Sequence, residues 1–482
     1  MNLGILRVAA VMEQHGWKVD HLDLSGINNY LEVIDAHLTN SDGTLFGLTA
    51  TTAQLPDAVK VADQIHELRP DARVILGGPH PTLAHAAYKR EQGKELAYEG
   101  RGTRGLQHLK EHFDVIVAGD GEIAIFEACK PDAPAVIDAD GRDSGMFMTN
   151  KQLGALPFPA RHLVDVESYN YKIEGRPALS LIAQLGCPFG CGFCAGRYSP
   201  MLRHIRTRSS ENIVAEMVSL HETYGHTGFM FYDDELNVNP KVVELMNMIS
   251  DAQERLGVQW RLRGFLKAEL FTEEQAVAMY RAGFRQLLVG FESGSPQILD
   301  TIQKRATRED NTRCINIAHA HGLKVKALMS LGHPGESRQT AQETLDWLLE
   351  VQPSDFDVTV ITPYAGSPYF DDAVPAKEDG VWVYTCKNGE KLFQHELDYT
   401  LEADYYKGDP DDGYIAHVYT DYLSSEEIVA ERDRIERKVR AELDIPFNPG
   451  AAAVQYEHSM GQSKLPPSIL RTSAQQKVQA AS

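Results

Sequence analysis

Cys187, Cys191 and Cys194 fall within one short stretch, Gly186-Cys187-Pro188-Phe189-Gly190-Cys191-Gly192-Phe193-Cys194, at the spacing C-x3-C-x2-C. Thiolate is the usual protein ligand of iron–sulfur clusters, and three thiolates leave a cubane cluster one iron short of full ligation. An iron left open in this way can take a small molecule. Gly186, Gly190 and Gly192 suit a loop wrapped closely around a bulky inorganic core, while Pro188 and Phe189 keep it stiff and partly dry. A structural zinc site competes with this reading, but zinc favours four closed ligands from paired C-x2-C or Cys/His sets, and the sequence has no second pair. Three unrelated buried thiols are the remaining alternative.

A second group of candidate residues lies upstream. Helical patterns over residues 3–15 and 56–68 alternate with strand patterns over 17–24, 44–50, 73–76 and 113–118. Such alternation predicts a Rossmann-like, doubly wound parallel sheet, which binds ligands at the carboxyl ends of its strands. Three loops sit at those ends, Thr49-Ala50-Thr51-Thr52, Gly77-Gly78-Pro79-His80-Pro81-Thr82 and Gly119-Asp120-Gly121-Glu122. Their glycines let a large planar ligand approach the backbone, and their hydroxyls can bond its edge. The other reading is ordinary strand-end turns. Gly100-Arg101-Gly102-Thr103-Arg104-Gly105 matches the dinucleotide fingerprint G-x-G-x-x-G, but the preceding residues 94–99 are short and polar rather than an apolar strand, so it is read as a decoy.

From residue 178 onward the pattern becomes regular. Strands are expected at 178–185, 228–232, 260–265, 286–291, 324–331 and 357–361, with helices between them at 211–224, 240–256, 273–282, 310–321 and 338–350. Six such units describe a partial (β/α)6 barrel of the TIM type, whose active residues sit at the carboxyl ends of the strands. Four motifs stand at those ends: Tyr232-Asp233-Asp234-Glu235, Gly290-Phe291-Glu292-Ser293-Gly294-Ser295, Leu331-Gly332-His333-Pro334-Gly335-Glu336 and residues 362–368.

The cysteine loop behind its strand resembles the cluster motif of the radical S-adenosylmethionine (SAM) superfamily, and the region before it resembles the cobalamin-binding branch of that superfamily. The likeness runs from about residue 3 to 370. It implies a [4Fe-4S] cluster on Cys187, Cys191 and Cys194, with SAM chelating the open iron. Asp233 and Asp234 correspond to residues at the methionine amino group, and Glu292 and Ser293 to residues near the methionine and ribose. Glu336 closes a segment similar to G-x-P-G-E in which His333 replaces a more usual apolar residue. Lys267, where relatives more often have arginine, is left unassigned.

Cobalamin is implied at Thr51, Thr52, Gly77, Gly78, His80, Thr82, Gly119, Gly121 and Glu122. The D-x-H-x-x-G motif is absent, so the resemblance implies a base-off cofactor without a histidine ligand, with His80 a loop residue near the ring. Relatives open with a further strand before the first helix; its absence here implies a shortened or rearranged start. The implied reaction is reductive cleavage of SAM to a 5′-deoxyadenosyl radical, followed by methyl transfer from cobalamin to carbon or phosphorus of a small molecule or peptide. The electron would come from a reductase or flavodoxin-type donor. A cyclisation, ring contraction or oxidation with the same cofactors is the alternative, and a non-catalytic cobalamin or SAM sensor is the alternative of another class.

The 482 residues fit two domains and an extension: 1–145, a linker at 146–177, 178–370 and an α-rich segment 371–482. A formal charge of −21 makes nucleic acid an improbable broad partner. No apolar run is long enough to span a membrane, no leader is expected, and six cysteines without a paired framework suit a reducing, cytoplasmic setting. The tyrosine- and acid-rich stretch from 398 to 422 could close the barrel mouth or be a packing appendage. Residues 471–482 are expected to fray.

Overall fold

The computed structural model describes every residue except Asn28, Asn170, 404–414 and 447–482. Part of the tyrosine- and acid-rich stretch, 404–414, and the segment 471–482 expected to fray therefore lie outside the described residues.

Leu45–Thr49, Arg73–Gly77, Val115–Gly119 and Val136–Ala139 form a parallel four-stranded sheet in chain order. Side chains alternate across it. Val74, Leu76 and Ile116 join one core with helices Tyr30–Thr39, Leu55–Leu68, Pro79–Gln92 and Arg101–His112, while Ile75, Val115 and Val117 join another with helix Gly121–Ala128. Burial on both faces explains why the central strands read as unbroken apolar runs.

Residues 17–24 are not the strand expected of them. A strand needs a partner, and the sheet ends at Leu45–Thr49, whose one neighbour is Arg73–Gly77. Leu22 and Leu24 instead pack on the helical core, and Asp23 accepts from Ser25 N at 2.9 Å. Residues 79–82, read as loop, are the first turn of helix Pro79–Gln92, which Pro79 opens without giving up a needed N–H.

The glycine-rich decoy lies at the start of helix Arg101–His112. The Glu91 carboxylate fills that helix N-terminus, accepting from Gly102 N at 2.6 Å and Thr103 N at 2.8 Å. A Cβ on Gly102 would lie 2.8 Å from the Ala87 carbonyl carbon, so the glycine serves close helix packing. An internal anion occupies the place a phosphate would take.

Six parallel strands, Arg176–Leu181, Gly228–Phe231, Arg261–Leu266, Phe284–Glu292, Lys324–Leu331 and Asp355–Val360, pair in chain order to form an open half-barrel. Its outer face buries Phe229, Trp260 and Phe284 beneath the helices, and Trp347 of helix Arg338–Val351 joins the same core. Inside, the ammonium of Lys326 lies 3.2 Å from Asp355 and 2.9 Å from Asp357.

The extension is less helical than expected. Val374–Pro375, Val381–Thr385, Lys391–His395 and Val418–Tyr419 form an antiparallel sheet, and among the described residues after 372 the one helix is Ser425–Leu443. The runs VWVYT and KLFQH alternate about an Asn388-Gly389 turn, with Gly389 at φ 92°. That is a hairpin pattern.

Candidate cluster and cofactor site

Contacts with residues 199–206, a remote backbone carbonyl and two remote carboxylates shape the cysteine loop. Gly186 sits at φ 84°, and a Cβ there would lie 2.4 Å from the His204 carbonyl oxygen. Cys187 N donates to Leu202 O and Gly192 N to Ile302 O, each at 2.8 Å. Behind the loop, Asp140 accepts from Ser199 Oγ at 2.6 Å and Met201 N at 2.9 Å. Asp120 accepts from Met148 N at 2.7 Å and pairs with Arg206. Both aspartates follow strands of the first sheet. The N-terminal sheet therefore clamps the segment that carries the cysteines.

All three thiols are unpaired and partly accessible. Burial pushes Cys187 up to about 11 and Cys194 up to about 12, and raises Cys191 against the opposing pull of Lys304 and Lys267. Among the described residues, no three His, Cys, Asp or Glu side chains converge as a single metal ion requires. A cubane spreads its thiolates over separate irons, so this donor set fits a cluster better than lone zinc.

The strand-end motifs are brought to the same region, but their side chains divide. Asp233 Oδ1 accepts from Ala183 N at 3.0 Å and also from Gln184 N, holding the end of the first barrel strand, while its Oδ2 is buried without a hydrogen-bond partner. Desolvation lifts Asp233 and Glu235 to about 7. Asp234 is exposed, and desolvation by the protein around it raises its carboxyl pKa. Glu292 closes the fourth barrel strand, Phe284–Glu292. Its Oε1 accepts from Lys304 Nζ at 2.7 Å and its Oε2 from Ser330 Oγ at 2.9 Å, which keep it ionised despite burial.

Ser293 and Glu336 are bonded elsewhere. Ser293 Oγ meets Thr344 Oγ1 at 3.0 Å and accepts from Ser295 N. Glu336 accepts from Thr340 Oγ1 at 2.5 Å and Gly332 N at 3.2 Å within its own turn. Sequence reasoning missed Lys304, Ser330 and Tyr369, and left Lys267 open. Lys267 is buried beside Phe189, its ammonium 4.3 Å from the ring centre and 2.8 Å from Glu269.

At the first sheet, Thr82 Oγ1 donates to Gly78 O and accepts from Gly119 N, both at 2.9 Å, so it ties two of the three loops together. A Cβ on Gly78 would meet Thr49 Oγ1 at 2.4 Å and one on Gly119 would meet the Ala139 carbonyl carbon at 2.3 Å. Those glycines serve strand-end packing, and Gly121 lies against Val8. His80 is buried, bonded through Nδ1 to Thr52 Oγ1 at 3.1 Å, and lowered to about 4 by burial. Glu122 faces Arg7 at 3.8 Å inside the protein. Gly77, with nothing within 4 Å of a Cβ, and the partly accessible Thr51 form the open rim. Leu83 and Ala87 next to it pack on Ala365, Phe370, Ala195 and Leu202, which sets these strand ends beside the cysteine segment.

Comparison with known proteins agrees with this geometry. Residues 181–348 match the Radical SAM superfamily and residues 1–110 the B12 binding domain. An uncharacterised methyltransferase of Pyrococcus horikoshii is 25% identical over 387 residues, 77% of this chain and 78% of that protein. The cytidylyl-2-hydroxyethylphosphonate methyltransferase of Streptomyces wedmorensis is 23% identical over 445 residues, 80% and 81% of the two chains. Among solved structures, the radical SAM methyltransferase TsrM of Kitasatospora setae, with cobalamin and a [4Fe-4S] cluster bound, superposes with a TM-score of 0.60 at 18% identity, over 93% of this chain and 86% of that one. The chain belongs to the radical SAM superfamily and carries a B12-binding domain. It is a cobalamin-dependent radical SAM enzyme, with a [4Fe-4S] cluster, SAM and cobalamin as its cofactors. No helix among the described residues is long and apolar enough to cross a membrane.

Proposed function

We propose that the protein is a methyltransferase acting on an unactivated carbon or phosphorus of a small molecule or peptide in a biosynthetic pathway, in a reducing cytoplasm. The observation that carries this reading is the clamp by which Asp120 and Asp140, at the carboxyl ends of the first sheet, hold the three-cysteine segment. A radical-generating centre and a methyl carrier need to share one recess, and this clamp fixes that adjacency. Similar chains named for methyl transfer support it.

Cys187, Cys191 and Cys194 would hold the cluster, and the partly accessible loop leaves its fourth iron open to SAM. When bound, these groups supply an electron to the sulfonium and a transferable methyl; the protein contributes position and exclusion of water. Asp234 would accept from the methionine ammonium of SAM. Glu292, kept ionised by Lys304 and Ser330, offers acceptors to the same ligand. Gly77 and Thr51 at the rim, with Gly78, Thr52, Thr82, Gly119, Gly121, His80 and Glu122 building the wall behind them, form the cobalamin side. The electron donor is a low-potential protein of the flavodoxin kind.

The test is anaerobic reconstitution with iron, sulfide and cobalamin, followed by methyl-labelled SAM and a reductant. Formation of 5′-deoxyadenosine together with labelled methylcobalamin supports a methyltransferase. Deoxyadenosine with cobalamin bound but never methylated would move the assignment to a non-methylating reaction.

A further inference from the structure

The electron that starts SAM cleavage has to enter from outside the protein. From residue 176 to 210 the chain carries five arginines and a histidine but no aspartate or glutamate, in a protein of net charge −21. Arg206 and Arg208 in this stretch are buried against Asp120 and Glu216, and Arg176 donates to Gln259 O at its far end. The rest is accessible. His204 is exposed, and Arg197 and Arg203 are half-exposed. Arg142, exposed and remote in sequence, donates from Nη2 to His204 Nδ1 at 2.8 Å, so that imidazole is neutral, burial and the nearby Arg142 and Arg206 lowering its pKa, and the charge of the stretch is carried by its arginines. Asp143 follows Arg142 and is exposed beside it.

This basic collar covers the cysteine loop. The His204 carbonyl oxygen lies 2.4 Å from where a Gly186 Cβ would stand, and Leu202 O accepts from Cys187 N at 2.8 Å. Arg203 donates to Phe189 O inside the loop. The Arg197 guanidinium lies over Gly190, 3.2 Å from its Cβ position, with Nη1 buried and unbonded. The backbone of His204, whose ring holds the exposed Arg142, thus packs against the residue before Cys187.

We infer that Arg142, held by the neutral His204, together with Arg197 and Arg203 forms the docking face for the electron donor, an acidic one-electron redox protein; the inference rests on the donor class proposed above. Two acidic proteins repel over most of their surfaces, and a local positive patch decides where they meet. Docked there, the donor's reduced flavin loses one electron, the cluster gains it, and no covalent bond forms or breaks.

The test uses purified flavodoxin as the probe with the reconstituted full-length protein and its R142E/H204E double variant. Affinity is measured by titration at low and high salt, and 5′-deoxyadenosine formation is measured with flavodoxin hydroquinone and, separately, with dithionite. Wild-type affinity should fall with salt, and the double variant should bind about tenfold more weakly, with less salt dependence and an unchanged dithionite-driven rate. Equal affinity in the two proteins, or an equal fall in both assays, overturns the docking face. If the wild type takes electrons from dithionite and none from flavodoxin, the donor class itself is wrong.

Discussion

Glu292 is a non-glycine residue at φ 66°, and Gln303 and Arg305 on either side of its partner Lys304 are at 57° and 64°. Left-handed backbone of this kind costs on the order of 1–3 kcal/mol and persists where surrounding contacts over-determine it. A Cβ on Gly290 would lie 2.7 Å from Glu292 Oε1 and 2.9 Å from Lys304 Nζ, so that glycine leaves space for the pair. The bonds beyond the pair have a fixed direction. Ser330 has one proton and gives it to the carboxylate, so His333 Nε2, 2.8 Å away, is a donor to Ser330. Its Nδ1 then accepts from Tyr369 OH at 3.3 Å, as a neutral imidazole that burial lowers to about 4 allows. His333 also meets the Phe193 ring at 5.5 Å, which links Glu292 to the cysteine loop. H333L should weaken equilibrium SAM binding about tenfold, the worth of one buried hydrogen bond, while H333Q, which keeps an N–H, should recover most of it. Equal affinities in the two variants would remove the directional bond from the account.

Glu336 gives a pH test at the same scale. Burial lifts it to about 7, above its unfolded value, so it adds stability below the ordinary carboxylate range that is lost as pH rises through 7. The wild type should lose stability relative to E336Q between pH 5 and 8; a gap independent of pH would contradict this placement. The cysteines were legible from sequence because ligand type and local spacing carry the chemistry. Lys304, Ser330 and Tyr369 were not, since remote strands bring them together, although His333 in an otherwise familiar turn was a visible signal.

Helix Ser425–Leu443 has a task that the sequence does not show. It seals the open edge of the half-barrel with side chains one turn apart. Arg432 Nε donates to Val358 O at 3.0 Å, Val358 N donates to Glu436 Oε1 at 2.7 Å, and Arg440 Nη2 donates to Phe356 O at 2.6 Å. An edge strand otherwise invites pairing with another chain. E436A would leave the Val358 N–H buried without a partner and should cost about 1–3 kcal/mol, read by chemical denaturation. An unchanged midpoint would show that water or the backbone replaces the carboxylate. Residues 17–24 taught the converse lesson: alternating hydrophobicity proposes a strand, but only a neighbour makes one. In the extension, the Asn388-Gly389 turn between alternating runs was overlooked because tyrosine and acid content dominated the reading.

Across the whole molecule, the order of the two folds was legible because both are local repeats of strand and helix. Their clamp was not, since Asp120 and Arg206 are 86 residues apart. Asp120 sits in a loop read as a ligand site, and the structure gives its carboxylate to Arg206 instead. D120A would strand the buried guanidinium, for which a loss of about 3–5 kcal/mol is usual. Iron retained after gel filtration should drop with it, because the clamped segment carries the cysteines. Full iron retention in D120A would mean the cluster loop holds its shape without the first sheet.

The most direct measurement of the central claim is the electron paramagnetic resonance spectrum of the anaerobically reconstituted, reduced protein with and without SAM. The account predicts a reduced [4Fe-4S] signal that SAM reshapes, because three cysteines leave one iron open, and its loss when Cys187, Cys191 and Cys194 are all replaced by alanine. A cluster signal that SAM leaves unchanged, or one that survives the triple replacement, would contradict it.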